Sequence, residues 1–392
     1  MTGLPNGWRL VALNDAAEIV MGQSPPSSAY NENNIGMPFF QGKAEFGERY
    51  PIVKKWTTAG TKQALAGDIL MSVRAPVGPT NIANVDCVIG RGLAAIRAGS
   101  HTNQTFLLWV LRSLESEIAS KGVGTTFTAI SGGELRRTQL PLPPLAEQER
   151  IVDVLEEQFS RLDSALASIR VVREKAAAFR RSLLHAAFRG DLTGGTAGWR
   201  QVTLKDAAEV VMGQSPPSSA YNQSGIGMPF FQGKAEFGDR YPTVKKWTTT
   251  GSKQALAGDI LMSVRAPVGP TNLANVDCVI GRGLAAIRAG SLTNQTFLLW
   301  VLRSLESEIA SKGVGTTFTA ISGGELRSTQ LPLPPLAEQE RVVEILEEQF
   351  SRLDNVLEVA SQLEARIASE RRALLHAAFT GGLTAKWRRS HV

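Results

Sequence analysis

Residue n of this 392-residue chain matches residue n+191 over nearly its whole length, without a single insertion. Between 21–150 and 212–341 the two copies differ at only ten positions, most of them mild, such as Glu48/Asp239 and Ile82/Leu273. A period this long is not a solenoid unit; it is a whole domain with its connector, duplicated. Two such domains must present almost the same surface. The opening of the unit also recurs a third time, since Trp8-Arg9 and Trp199-Arg200 are followed near the end by Trp387-Arg388. The tail, 382–392, therefore reads as the start of a third copy, as if the order of parts were nearly cyclic.

Each copy changes texture once. Residues 8–144 are short apolar runs broken by Gly, Pro, Asn and Thr, such as "MPFFQGKAEFG" and "GVGTTFTAISGGEL". Such alternation predicts an irregular, β-rich domain. One amphipathic helix is expected over 103–122, capped by Gly122. After "PLPPL" (141–145) neither Gly nor Pro occurs until past Phe188. Leu155, Leu162, Ile169, Ala176 and Leu183 recur every seven residues, with Phe159, Leu166, Val172 and Phe179 assigned to the adjacent seam. The second copy repeats the heptad with Leu346, Leu353, Ala360, Ile367 and Leu374. A pattern of this length predicts two helices, each about 60 Å long at ~1.5 Å per residue, closed by Gly190 and Gly381.

Two matched helices pair most naturally with each other; packing of each on its own domain is the plainer alternative. The outer faces diverge (164–176 against 355–367), as complementary partners would. The expected fold is α+β, with β-rich globular domains at 1–144 and 191–335. Long helices at 145–190 and 336–381 would form an antiparallel coiled coil, giving a pseudo-two-fold arrangement overall.

Composition excludes several classes. A hydrophobic content of 43% with 20% charged residues is that of an ordinary globular protein. The longest apolar runs, such as "FLLWVL" at 106–111, fall far short of the ~20 residues of a membrane helix. The N-terminus lacks the basic-then-apolar layout of a secretion signal, and none is expected. Cys87 and Cys278 read as buried thiols, and the four histidines form no ligand-spaced cluster, so no metal is expected. A formal charge of +6 permits a polyanionic partner without requiring one.

The motif "GQSPPS", at 22–27 and again at 213–218, resembles the loop with which amino-methyltransferases grip an extruded base. That loop needs an aromatic ring after the prolines to stack on the base, and Ser27 and Ser218 have none. "KGVGTT" at 121–126 follows a helix and lacks the Lys-Ser/Thr of a phosphate-binding loop. Neither GxSxG nor HExxH occurs. No catalysis is expected of this chain alone.

The segments "GWRLVALNDAAEIVMGQSPP", "GDILMSVRAPVG" and "TAISGGELRRTQLPLPPLAEQERIVDVLE", followed by the long helix and all arranged twice, resemble the specificity subunit of Type I restriction–modification systems. The resemblance covers the whole chain. It implies two target-recognition domains, each reading half of a split site in double-stranded DNA. It also implies helices that act as a ruler and as a dock for methyltransferase subunits, two of them, and for restriction/translocase subunits. AdoMet, Mg and ATP would belong to those partners, with no cofactor on this chain. The setting implied is the cytoplasm of a bacterium or archaeon, away from membranes. Family members usually carry unlike domains; here both should read the same word, so the expected target is an interrupted palindrome. The alternatives are a coiled-coil scaffold whose globular domains bind protein, and the specificity subunit of a methylation-only or Type IIB-like complex.

Base readout needs bidentate donors on base edges, with cations and hydroxyls on phosphates. The candidates lie in loops of the β-rich part: Tyr30, Gln41, Lys43, Arg49, Lys54, Lys55, Lys62, Arg74, Arg91, Thr125 and Thr126. Their twins are Tyr221, Gln232, Lys234, Arg240, Lys245, Lys246, Lys253, Arg265, Arg282, Thr316 and Thr317. Arg74 and Lys43 rank first because Gly and Pro bound their loops.

Overall fold

The computed structural model describes residues 3–124, 128–314 and 319–391. It divides into two compact units, Met1–Ile169 with Gln362–Val392, and Arg170–Ser361. The division runs through the middle of both long helices, so each unit holds one β-rich part, the first half of one long helix and the second half of the other.

Among the described residues the β-rich part of the first unit contains eleven short strands. They are β1 (Arg9–Ala12), β2 (Ala17–Met21), β3 (Tyr30–Asn31), β4 (Met37–Phe40), β5 (Trp56–Thr57) and β6 (Gln63–Ala64). Then come β7 (Ile69–Ser72), β8 (Thr80–Ile82), β9 (Cys87–Ile89), β10 (Leu93–Ala98) and β11 (Gln139–Leu142). They form a β1–β11 pair, an antiparallel sheet in the order β2-β10-β7-β8, and a five-stranded sheet in the order β3-β5-β4-β9-β6. In the last, β4 and β9 run parallel while β5 and β6 run against them. Strands β7 and β9 bury every residue and are apolar apart from Ser72; Phe40, Leu70 and Ile89 knit the two larger sheets together. Burial, with Asp68 adding, pushes the Cys87 thiol up to about 12. Cys278 is equally raised, and both are free, inert thiols. The second copy repeats these elements 191 residues on, with the same sheet orders.

Among the described residues four short α-helices accompany the strands: α1 (Leu13–Ala16), α2 (Gln104–Ser113), α3 (Glu115–Ser120) and α4 (Gly132–Arg136). The single helix expected over 103–122 is thus two, broken at Leu114, whose φ −91° and ψ 4° leave the helical region. Asn103 starts α2 by accepting the Phe106 N–H. The C-terminal residue of α3 is followed by Lys121 in the right-handed region, so Gly122 does not act as a left-handed cap.

The long helices are α5 (Leu145–Phe188) and its counterpart Leu336–Phe379. Each ends before a glycine in the left-handed region, Gly190 at φ 81° and Gly381 at φ 80°, where a side chain would be strained. Inside the second unit Arg173 bonds Ser361 and Arg180 pairs with Asp354. Seven residues forward on one helix is seven back on the other, so the helices run antiparallel. Inside the first unit Asp163 pairs with Arg371 of the other long helix. Ile169, Ala176, Ala360 and Ile367 of the heptad are buried. Val172 and Phe179, expected in the seam, are 38% and 47% exposed; the seam is narrow and leaves them on the outer face. Phe159 is buried, but against Trp109 of α2 at 4.8 Å, so this part of α5 packs on its own β-rich part.

The last turns of each long helix enter a globular core. Phe379 meets Phe106 edge-on at 5.6 Å in the first unit, and Phe188 meets Phe297 at 5.5 Å in the second. The tail does not repeat the strand that follows Trp8 and Trp199; it forms a helix over Ala385–His391. Its Arg388 donates to the buried Glu147, which also accepts from Trp8 Nε1 at 2.9 Å and Thr384 Oγ1 at 2.6 Å. Burial acts to raise the Glu147 pKa, but the bonds from Arg388, Thr384 and Trp8 outweigh it and hold the carboxylate below its ordinary range.

A carboxylate with a depressed folded pKa adds stability that is complete above its unfolded pKa and lost as pH falls through the folded one. Arg388→Ala would leave Glu147 charged and unpaired, and is expected to cost about 3–5 kcal/mol in chemical denaturation at neutral pH. The cost should shrink as acid protonates Glu147. A cost well under ~1 kcal/mol would assign the stability to Thr384 and Trp8 instead.

Candidate nucleic-acid interface

Register decides where the expected DNA-reading residues go. Strands β4 and β9 are parallel, with Phe39 opposite Val88 and Phe40 opposite Ile89. The residues after them, Gln41 and Arg91, therefore leave the five-stranded sheet at the same edge. Strand β5 runs the other way, and the residues before it arrive there too, the Lys55 carbonyl accepting from Phe39 N–H at 2.9 Å. The same holds for β6, where the Lys62 carbonyl accepts from Ile89 N–H at 2.9 Å. Lys54, Lys55, Lys62, Gln41 and Arg91, scattered over about fifty residues of sequence, thus line one rim. All five are exposed.

Arg74 reaches this rim from the neighbouring sheet. It follows β7, and the Ser72 hydroxyl lies 2.9 Å from its carbonyl and 2.7 Å from that of Pro76, which fixes the turn. A pocket of about 210 Å³ brings Gln41, Lys43, Arg74 and Arg91 together, and no acidic residue lines it. Gly92 permits the approach, since a Cβ there would stand 2.3 Å from the Gln41 carbonyl. Among the described residues none of Lys43, Lys54, Lys55, Lys62, Arg74 and Arg91 pairs with a carboxylate. Their charge is uncompensated and faces solvent, as a phosphate-binding surface requires.

The "GQSPPS" loop supports this rim from behind. Gln23 N–H donates to the Ile89 carbonyl at 3.0 Å, and Ser24 Oγ accepts the Arg91 N–H at 3.2 Å. Tyr30 donates to the Pro25 carbonyl at 2.8 Å and stacks on Phe39 with centroids 4.8 Å apart. Its ring is committed to the protein. Sequence reasoning passes over Ser24, because its role is a hydrogen bond made 67 residues away.

Arg49 stands apart. Its carbonyl accepts the Ile82 N–H at the edge strand β8, its side chain lies over Tyr50 at 5.7 Å, and it lines a separate cleft with Trp109 and Arg112. The second copy has the same registers, so Gln232, Lys245, Lys246, Lys253 and Arg282 share one rim of its own sheet. Lys234 and Arg265 are exposed there, and Tyr221 stacks on Phe230 at 4.8 Å. Arg240, like Arg49, sits elsewhere, 3.6 Å from Glu347. Thr125, Thr126, Thr316 and Thr317 lie outside the described residues.

A family profile described as the Type I restriction modification DNA specificity domain matches residues 5–167 and 196–367. A protein of Methanocaldococcus jannaschii named as the putative MjaX type I restriction enzyme specificity subunit is 29% identical, over 98% of this chain and 95% of its own length. The crystal structure of the HsdS subunit from Thermoanaerobacter tengcongensis is 32% identical, covering 97% of this chain and 98% of that one, with a TM-score of 0.59. A chain from a structure addressing complex assembly and conformational transition of the type I R-M system is also 32% identical. It covers 98% of this chain and 100% of its own, with a TM-score of 0.84. Two family domains, two β-rich parts and the paired long helices agree. The chain belongs to the specificity subunits of Type I restriction–modification systems, the DNA-recognition and non-catalytic members of those systems.

Proposed function

We propose that this specificity subunit reads a bipartite DNA site that is an interrupted palindrome, and that it positions methyltransferase and restriction subunits on it. The observation that carries the palindrome is where the copies differ. None of the ten differing positions falls on a rim residue or on its twin. Identical donors on an identical backbone select the same bases. In this reading 1–144 and 191–335 are the recognition parts, while 145–190 and 336–381 set the spacing and carry the partners. Apolar side chains left uncovered on the long helices, among them Val171, Phe179 and Val359 at 47%, 47% and 54% exposure, favour a partner docking there. AdoMet, Mg and ATP are assigned to the partner subunits.

Within each rim, Arg74 and Lys43 (Arg265 and Lys234) are assigned to base edges, and Lys54, Lys55 and Lys62 with their twins to phosphates. Arg91 and Gln41 stand beside Arg74 and complete the reading surface. Arg49 and Arg240 are assigned a lesser part in DNA binding, because they lie off the rim.

The test is a methylation map of DNA from cells co-expressing this chain with its methyltransferase partner. Methyl groups at one gapped palindrome are expected. An asymmetric gapped site would refute equal readout and point to the differing positions. Absence of new methylation, with a partner active alongside another specificity subunit, would favour the protein-binding scaffold.

Arg74→Ala combined with Arg265→Ala should relax specificity by ~1–3 kcal/mol for each bidentate hydrogen-bond pair to a base that the substitutions remove, read as partial methylation of near-cognate sites. Lys54→Ala with Lys245→Ala should instead weaken binding to all sequences alike. It should also reduce the slope of log affinity against log salt by ~2, at about 0.9 per neutralised phosphate. Unchanged site choice in the arginine pair would remove those two residues from the reading surface.

A further inference from the structure

The first unit contains a second cationic site that shares no residue with the basic rim. It is a cleft of about 880 Å³ walled by α2 and β8 on one side and by the long helices on the other. Arg49, Arg112 and Arg371 line it together with Trp109 and Phe159. Arg371 is paired with Asp163 and lies over the Phe159 ring at 5.4 Å. Arg112 has no such partner. Its Nε donates to Thr80 Oγ1 at 3.2 Å and its guanidinium lies 4.9 Å from the Trp109 ring, but no carboxylate bonds it among the described residues. Burial lowers its pKa; Glu115 opposes this, and Arg49 and Arg371 add to it. Trp109 Nε1 and Arg371 Nε are buried nearby without an acceptor. A half-buried guanidinium repelled by two others is costly unless an oxyanion completes it.

The second unit repeats the arrangement. Arg303 bonds Thr271 at 3.2 Å and lies 4.9 Å from Trp300; burial first, and then Arg180 and Arg240, lower its pKa. Trp300 Nε1 is again without an acceptor. There the chain supplies a carboxylate of its own, Glu347, to Arg240 at 3.6 Å.

We propose that the cleft at Arg112, with its counterpart at Arg303, is a receptor for an acidic side chain of a protein partner. Trp109 and Phe159 beside arginines are the composition of an interface hot spot. Duplex DNA fits poorly, because Glu48, Glu156 and Asp163 also line the cleft and would repel a row of phosphates. A single carboxylate meets a guanidinium without that penalty, as Glu347 meets Arg240 in the second unit.

The test uses the full chain with its seven tryptophan indoles labelled with ¹⁵N, and Trp109→Phe and Trp300→Phe to assign the two cleft signals. An acetylated, amidated Gly-Glu-Gly peptide, which carries one carboxylate, should shift the Trp109 and Trp300 indole resonances saturably. Arg112→Gln with Arg303→Gln should weaken that binding by about tenfold or more, the size of a charged hydrogen bond. Should that pair melt early, Arg49→Glu with Arg240→Glu, on exposed side chains, is expected to weaken it as well. Absence of any shift at Trp109, or shifts unchanged in the arginine variants, would overturn the proposal. So would a DNA duplex that moves the same resonances and displaces the peptide, which would make the cleft a phosphate site. The methylation map does not depend on this titration, so the two readings fail separately.

Discussion

A side-chain amide without exposed surface, Gln148, holds each recognition part to its long helix. Its Nε2 donates to the carbonyls of Pro143 at 2.8 Å and His101 at 3.0 Å, and its Oε1 accepts the Asn103 N–H at 2.8 Å. One residue thus ties the start of α5 to the loop that starts α2. Pro143 and Pro144 have no N–H to donate, and the Pro143 carbonyl, which lies ahead of the helix, accepts from the Gln148 amide. Gln339 makes the same three bonds in the second copy. A buried amide with all its bonds met fixes an angle, because any rotation of the helix leaves a donor unpaired in a dry core. The aim of the basic rim relative to the helix within each unit depends on this joint.

The rim itself is a product of strand direction more than of local sequence. A parallel β4–β9 pair flanked by antiparallel β5 and β6 sends two chain exits and two chain entries to one edge. Each connection there is a loop, where a long cationic side chain can stay solvated. The opposite arrangement holds at Arg97, a cation on strand β10 that is clamped by both oxygens of Asp68 at 2.7 and 2.8 Å and is spent on the fold. Position on the topology separates the two kinds of arginine; residue type does not.

Much of this was legible in the sequence, and what was not has physical causes. The repeat, the heptad and the turn-rich texture are local or periodic signals, and they foretold the β-rich parts and the antiparallel long helices. The loop cations were also legible, since Lys43, Arg74 and Arg91 sit beside glycines and prolines. The break at Leu114 was not, because the residues on both sides of it are good helix formers and the period hardly changes. Val172 and Phe179 were misplaced because an apolar residue near a heptad looks the same whether it faces the seam or a solvent-facing groove. The cleft arginines were invisible: Arg112 and Arg371 lie far apart in sequence, and nothing local distinguishes them from solvated helix charges.

The tail shows most plainly how context overrides sequence. Trp387-Arg388 repeats the opening of each copy, yet it is helical where Trp8-Arg9 and Trp199-Arg200 lead into strands. The strand that would receive it, β11, is already paired with β1. Freed from that role, Arg388 lies over the Trp8 ring at 5.3 Å and neutralises Glu147. In the second unit the connector between the copies occupies the equivalent place, with Ala197 where the tail has Arg388. Glu338 there accepts from Thr193 at 2.7 Å and is half-buried, and among the described residues no guanidinium pairs with it. Trp199 Nε1 is left without an acceptor. The two recognition parts are near copies, but the joints that hold them are not. One is closed by a buried, charge-assisted cluster and the other by a single hydroxyl. Stability is therefore expected to be unequal between two halves whose basic rims carry the same residues.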